Sequence, residues 1–270
     1  MNTPKHILFV AQEINPYLPD ETPIRMLNRK LPEYFQAHGY ETRSFMPKFG
    51  EINERRNQLH EVIRLSGVNL IIDDADHPLL LKVTSIQAAR IQFYFIDNDD
   101  YFSRRKGVAD ENGEYTDNDE RTIFFGRGVL DTVNKLRWTP DVIHCSGWMS
   151  ALIPLYIKRA YADSPFFKNA KVVLSLDDNE YRKPFGTSFA NKLLMDGVGS
   201  NDVRSIAGFP TGYEELMRLA IDYSDAYAIV SDKVNSRLLN YIETQDKPVI
   251  DITDQDTAKY LEFCNGLLGL

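Results

Sequence analysis

The chain has 270 residues, 43% of them hydrophobic, enough to bury a sizeable core in one large domain or two small ones. Its 39 acidic against 31 basic side chains give a formal net charge of -8, which argues against non-specific binding to nucleic acid or to an anionic membrane. The 2 cysteines, Cys145 and Cys264, exclude a disulfide framework and a CxxC metal knuckle. No stretch approaches a membrane span or a secretory leader, so a cytoplasmic protein is expected.

In chain order, "HILFVAQ" (residues 6–12) is an unbroken apolar run of the kind expected for a strand buried on both faces. The Pro-rich stretch "NPYLPDETP" reads as a surface connection, and Pro23 suits the first turn of the helix that follows, with Gly39 as its stop. Ile24, Leu27, Leu31 and Phe35 recur at helical spacing, and Pro32 predicts a kink. "YETRSFMP" completes a βαβ unit. From 61 to 96 the pattern turns to β, with "EVIRLSG", "NLIIDD", "PLLLKVTSI" and "RIQFYFID" as strands of hairpins that project from or extend the main sheet. A helix follows over "DNDERTIFFGRGVLDTVNKL", with Asn118 as its expected N-cap; Gly126 and Gly128 weaken it unless something packs closely there. The second half repeats strand then helix: "DVIHC" and "WMSALIPLYIKRAYA", "KVVLSL" and "SFANKLLMD", "AYAIVS" and "DKVNSRLLNYIE", with an amphipathic helix over "YEELMRLAIDYSD". The alternation predicts an α/β, Rossmann-like fold, a mostly parallel sheet with helices on both faces. With no linker-like composition and no internal repeat, residues 1–270 are expected to form a single domain carrying a β-rich insertion at about 61–96.

No GxGxxG or Walker sequence follows any of these strands, which argues against a dinucleotide enzyme or a P-loop NTPase. The clusters "IDDADH", "DNDDYF" and "YTDNDER" read as solvated, helix-capping carboxylates, and neither a metal site nor a cofactor is expected. "LDDNEY" (residues 176–181) differs because it sits at the C-terminal end of a parallel strand, the edge where such sheets bind ligands. His144, inside or at the end of its strand, is expected to be buried and hydrogen-bonded rather than catalytic. Trp148 is either a core anchor or a stacking platform for a sugar or base.

Taken together and in order, "HILFVAQEINPY", "LPEYFQAHGYETRSFMPKFG", "YFIDNDDYFSRR", "EYTDNDERTIFFGRGVL" and "DVIHCSGWMSALIPLYIK" resemble the N-terminal half of bacterial glycogen and starch synthases. The likeness continues more faintly through "KVVLSLDDNEY" and "YSDAYAIVSDKV". The resemblance implies the first Rossmann-like domain of a GT-B glycosyltransferase, with ADP-glucose as the sugar-nucleotide donor and an α-1,4-glucan as acceptor. It also implies substrate-side roles for Glu13, Asp117, Asn118, Arg121, Trp148 and Tyr181, with Asp117 on the acceptor side of the cleft and Asn118 and Arg121 as cap and salt-bridge partner holding that loop.

Three motifs of that family are altered here. Its Lys-Thr-Gly-Gly-Leu loop, whose lysine and glycine backbone approach the donor phosphates, is matched by "LPDETPI", which sets Pro19, Asp20 and Glu21 at or beside those places. Its His-Asp-Trp becomes Ser146-Gly147-Trp148, so Ser146 replaces the catalytic histidine, and its His-Asn strand end becomes Asp177-Asp178. The chain stops after "DTAKYLEFCNGLLGL", which is expected to be too little for a second Rossmann-like domain. Two functions are therefore expected to compete: a catalytically impaired acceptor-binding half completed by a donor-domain partner, or a non-catalytic module that binds glucan or a partner protein. In the second case the surface facing the missing lobe would be covered by "YLEFCNGLLGL" or by a homo-oligomer.

Overall fold

Strand β1 (Lys5–Ala11) lies in the middle of a ten-stranded sheet in the computed structural model, which describes residues 4–270. Its apolar run is continuous because both faces are covered. Ile7 and Phe9 enter one core with Leu27, Leu31 and Phe35, while Leu8 and Val10 enter the other with Phe125 and Val129. Helix α1 (Pro23–Ala37) returns the chain to β2 (Tyr40–Pro47), which pairs parallel to β1. The helix starts where the sequence says it should: the Thr22 hydroxyl accepts from the Arg25 N–H at 3.3 Å, Pro23 occupies the first turn, and Gly39 leaves at φ +90. It runs through Pro32 as one element.

The β-rich stretch resolves into β3 (His60–Glu61), β4 (Val68–Ile72), β5 (Ala75–Ile86) and β6 (Ile91–Asp97). One expectation changes here, and one of two alternatives is chosen. Of "EVIRLSG" only Glu61 belongs to a strand, because residues 62–66 close on themselves through Leu65 and Ser66 N–H bonds to the Val62 carbonyl. Strand β6 is a full member of the parallel sheet, paired to β2, and β5 folds back on it antiparallel. A small hairpin, β7 (Ala109–Asp110) and β8 (Gly113–Glu114), precedes α2 (Asn118–Lys135). Asn118 is the first helical residue and not the cap; Asp117 precedes it and makes no capping bond. The two glycines of α2 do admit close neighbours: a Cβ would lie 3.3 Å from the Tyr156 ring at Gly126 and 3.0 Å from Ile96 Cγ2 at Gly128.

The second half places β9 (Val142–Ser146), α3 (Ile153–Lys158), β10 (Lys171–Leu176), α4 (Phe189–Lys192), α5 (Tyr213–Tyr223), β11 (Ala226–Ile229), α6 (Ser236–Glu243), β12 (Val249–Asp251) and α7 (Thr257–Leu267). The helix expected from Trp148 onward is a 3-10 turn at Trp148–Ser150 and then the short α3, which carries in its first turn Pro154, a residue with no N–H to bond to an earlier turn. "SFANKLLMD" gives only the four residues of α4, and the chain adds β12 and α7 beyond the elements expected above. Strand order is β12-β11-β10-β9-β1-β2-β6-β5-β3, with β4 on β5. The chain moves outward from β1 through β2 and β6, then returns to β9 on the other side and moves outward through β10, β11 and β12. The topological switch therefore falls between β1 and β9, and the C-terminal ends of the strands there form a crevice. The fold is α/β and Rossmann-like, with α1 and α7 on one face and α2, α3 and α5 on the other. Among the described residues no helix is long and apolar enough to cross a membrane.

Candidate functional site

A cleft of about 940 Å³ opens at that crevice. The ends of the strands bring Glu13 after β1, Asp177, Asp178 and Asn179 after β10, and 230–233 after β11; opposite them stand 22–25 at the start of α1 and 253–255 after β12. Gln255 ties the two opposing segments together, its Nε2 donating to the Pro23 carbonyl at 3.3 Å. Strand alternation explains the selection. Phe9 on β1, Val173 on β10 and Ala228 on β11 all face the α1/α7 core, so residues Glu13, Asp177 and Val230, an even step further on, emerge on that same face.

The cleft is strongly acidic. Glu13, Asp177, Asp178, Asp232 and Asp254 face only Arg25 and Lys233. Arg25 is already engaged, donating from Nε to Glu13 Oε2 at 2.7 Å and from Nη1 to the Asp20 carbonyl at 2.7 Å. Asp177 is buried to 3% exposure, and its Oδ1 accepts from the Asn179 N–H at 2.9 Å. Burial pushes its carboxyl from 3.8 up to about 7; the Asn179 bond opposes this, and the charges of Asp178, Glu13 and Glu180 add to it.

Ser146 and Gly147 do not line the cleft. The register sets Ser146 beside Ala11, and the Gln12 N–H donates to its carbonyl at 2.9 Å. The Ser146 hydroxyl is fully buried and, like the Gln12 Nε2, has no hydrogen-bond partner among the described residues. Gly147 has φ +80, and a Cβ there would stand 2.7 Å from Gln12 Cβ, so the position accepts only glycine without rearrangement. His144 turns away from the cleft: its Nδ1 meets the Tyr260 hydroxyl at 2.6 Å and its Nε2 the Ser175 hydroxyl at 3.1 Å. Burial presses its pKa down to about 3, so the ring stays neutral.

The other candidates fall into two separate groups. Arg121, fully buried, donates from Nε to the Tyr101 carbonyl, from Nη1 to Asn118 Oδ1 and from Nη2 to the Gly107 carbonyl, at 2.7, 2.6 and 2.7 Å. Asn118 in turn donates to the Val108 carbonyl at 3.0 Å, and Asp117 pairs with Arg105 at 3.1 Å. These three knit residues 99–108 to the start of α2, Asp117 by its ion pair with Arg105, and Asn118 and Arg121 through backbone carbonyls rather than through the expected Arg121 salt bridge. Trp148, 1% exposed, meets Tyr181 edge-on at 5.1 Å; Tyr181 stacks on Phe185 at 4.5 Å and donates its hydroxyl to the Thr211 carbonyl. Of the two readings of Trp148, the buried position is that of a core anchor. Pro19, Asp20 and Glu21 are exposed on the β1–α1 connection. None of the three lines the cleft. Sequence reasoning missed Arg25, Asp232, Lys233 and Asp254. The strand end "AYAIVSDK" carried a signal for two of these, whereas β12 is too short to have announced the fourth.

Fold and cleft define a Rossmann-like α/β domain with a ligand crevice at its switch point. The family model for the starch synthase catalytic domain matches residues 6–245, and the chain belongs to that family as a glycogen/starch synthase-like glycosyltransferase domain. It is 30% identical to the glycogen synthase of Pelodictyon phaeoclathratiforme over 97% of this chain and 52% of that protein. It is 37% identical to the glycogen synthase of Chlorobium limicola over 72% of this chain and 40% of that protein. The chain thus spans about half the length, or less, of the curated relatives it matches. In fold it is similar to the catalytic domain of Starch Synthase IV from Arabidopsis thaliana bound to ADP and acarbose. The TM-score is 0.73 at 17% identity, over 93% of this chain and 51% of that one.

Proposed function

We propose that this domain keeps the acceptor-side architecture of a glycogen/starch synthase, does not transfer glucose from ADP-glucose on its own, and serves in the cytoplasm as a glucan-binding module. The observation that carries this reading is the Ser146–His144 arrangement. Where the family resemblance calls for an imidazole there is a buried hydroxyl, and the neighbouring imidazole is locked neutral between Tyr260 and Ser175. A positioned acid or base contributes about 10²–10⁴-fold to such a reaction. Stabilising a departing diphosphate needs donors or cations, and the matching loop offers the exposed carboxylates of Asp20 and Glu21 instead. Family membership and the Arabidopsis complex with ADP and acarbose support a carbohydrate ligand.

The test is ADP release from ADP-glucose with a glycogen primer, run on the chain alone and with an added donor-binding synthase lobe, beside a thermal-shift titration with maltooligosaccharides. No release from the chain alone and a saturable shift with maltooligosaccharide are expected. Primer extension by the chain alone at the rate of an intact synthase would sink the proposal.

A further inference from the structure

Away from the cleft, the connection that leaves β10 holds a carboxylate on its backbone. Two successive N–H groups point at Glu114: that of Arg182 donates to Oε1 at 2.8 Å and to Oε2 at 3.0 Å, and that of Lys183 donates to Oε2 at 2.6 Å. Consecutive backbone N–H groups turned toward one point form a concavity that selects anions. None of these three residues lines the cleft.

The concavity is anchored independently of the carboxylate it holds. On one side the buried Tyr181 stacks on Phe185 at 4.5 Å and donates its hydroxyl to the Thr211 carbonyl; on the other, Phe185 and Thr211 exchange backbone bonds at 2.9 and 3.0 Å. Pro184 between them has a fixed φ and no N–H, which leaves 182 and 183 as the donors.

Glu114 is held far less firmly. It sits on the β7–β8 hairpin, whose strands have 2 residues each, and a hairpin that short is marginal in water. Among the described residues, the bonds from Glu114 to Arg182 and Lys183 are the only hydrogen bonds that 109–114 make outside the hairpin. Charge is also left over. The Arg182 and Lys183 side chains are exposed and, among the described residues, make no ion pair or hydrogen bond, so two cations accompany one carboxylate. Glu180, the next acidic residue along the segment, bears on Asp177. An oxyanion carrying two negative charges satisfies the same N–H groups and both cations, where a carboxylate satisfies only the first.

We infer that Arg182 and Lys183 form a site for a phosphate dianion, that Glu114 is its displaceable internal occupant, and that binding releases the β7–β8 hairpin. Two sources share this chemistry: inorganic phosphate and the phosphate monoester of a sugar. The site stands apart from the cleft, so this inference and the proposed function can fail separately.

The experiment follows the backbone amide signals of Arg182 and Lys183 in the isotope-labelled chain by two-dimensional NMR. Sodium phosphate, glucose 1-phosphate, sodium acetate and sodium chloride are each added to about 20 mM at constant ionic strength and about pH 8, where phosphate is chiefly a dianion. Saturable shifts with phosphate or glucose 1-phosphate are expected, the tighter of the two identifying the source, and none with chloride. Glu114→Ala should tighten binding about tenfold, since an internal competitor lowers apparent affinity by the fraction of sites it leaves open. Glu114→Gln, which keeps the length of the side chain, should also bind more tightly than wild type and guards against collapse of the hairpin. Adding Arg182→Ala and Lys183→Ala to Glu114→Ala should weaken binding about tenfold, and in the wild type amide exchange across 109–114 should accelerate when phosphate is bound. Any one of four results overturns the inference: no saturable shift by either phosphate in wild type and both Glu114 variants, equal affinity in wild type and both variants, acetate binding as tightly as phosphate, or exchange across 109–114 unchanged at saturation.

Discussion

Asp177→Asn should stabilise the protein, and more so at pH 8 than at pH 5. The folded chain holds the Asp177 proton far more tightly than the unfolded chain, the carboxyl moving from 3.8 to about 7 on burial. Stability is therefore undiminished below the unfolded value and falls as pH rises between the two, where the unfolded state gives up its proton and the folded state must follow. At about 1.4 kcal/mol per pKa unit, the accumulated cost is about 1.5 kcal/mol at pH 5 and about 4 kcal/mol above pH 7. Asparagine cannot ionise and keeps the shape and the Asn179 N–H bond. Whatever its own burial costs is the same at both pH values and cancels in the comparison. The difference in unfolding free energy between variant and wild type should grow by about 2.5 kcal/mol from pH 5 to pH 8, measured by urea denaturation at each pH. A difference that does not change between the two would refute the reasoning, since it would mean that Asp177 is no harder to ionise when folded.

Gly147→Ala should cost about 2–4 kcal/mol, combining the left-handed backbone at φ +80 with a Cβ 2.7 Å from Gln12 Cβ. Gly39→Ala, at φ +90 with nothing within 4 Å, should cost only the backbone share of about 1–2 kcal/mol; equal losses in urea melts would remove the packing argument. Arg121→Lys should lose about 3 kcal/mol, because one ammonium cannot serve the Tyr101, Asn118 and Gly107 oxygens together; the melting temperature should fall, and proteolysis within 99–108 should accelerate. An unchanged cleavage rate would show that Arg121 does not hold that segment.

Much of the architecture is written locally. The unbroken apolar run of β1, the Thr22-Pro23 start and Gly39 end of α1, and the strand-then-helix rhythm after Asp141 need only near neighbours to act, and each appears where the sequence puts it. The same holds for the altered motifs, since the loss of an imidazole at Ser146 and of a neutral pair at Asp177-Asp178 is plain from residue type. The shortened helices after Trp148 and Ser188 mark where local propensity yields to tertiary packing, and the three residues of β12 are too few to carry a period at all. Only the folded chain decides which residues meet. Parallel strand pairing carries Glu13, Asp177, Lys233 and Asp254 to one edge across some 240 positions of sequence, and it turns His144 onto Tyr260, 116 residues away, instead of toward the cleft. Charge accumulates in that cleft, and the Asp177 carboxyl is pushed up to about 7, because burial and neighbouring carboxylates act through space, a distance that periodicity along the chain does not encode.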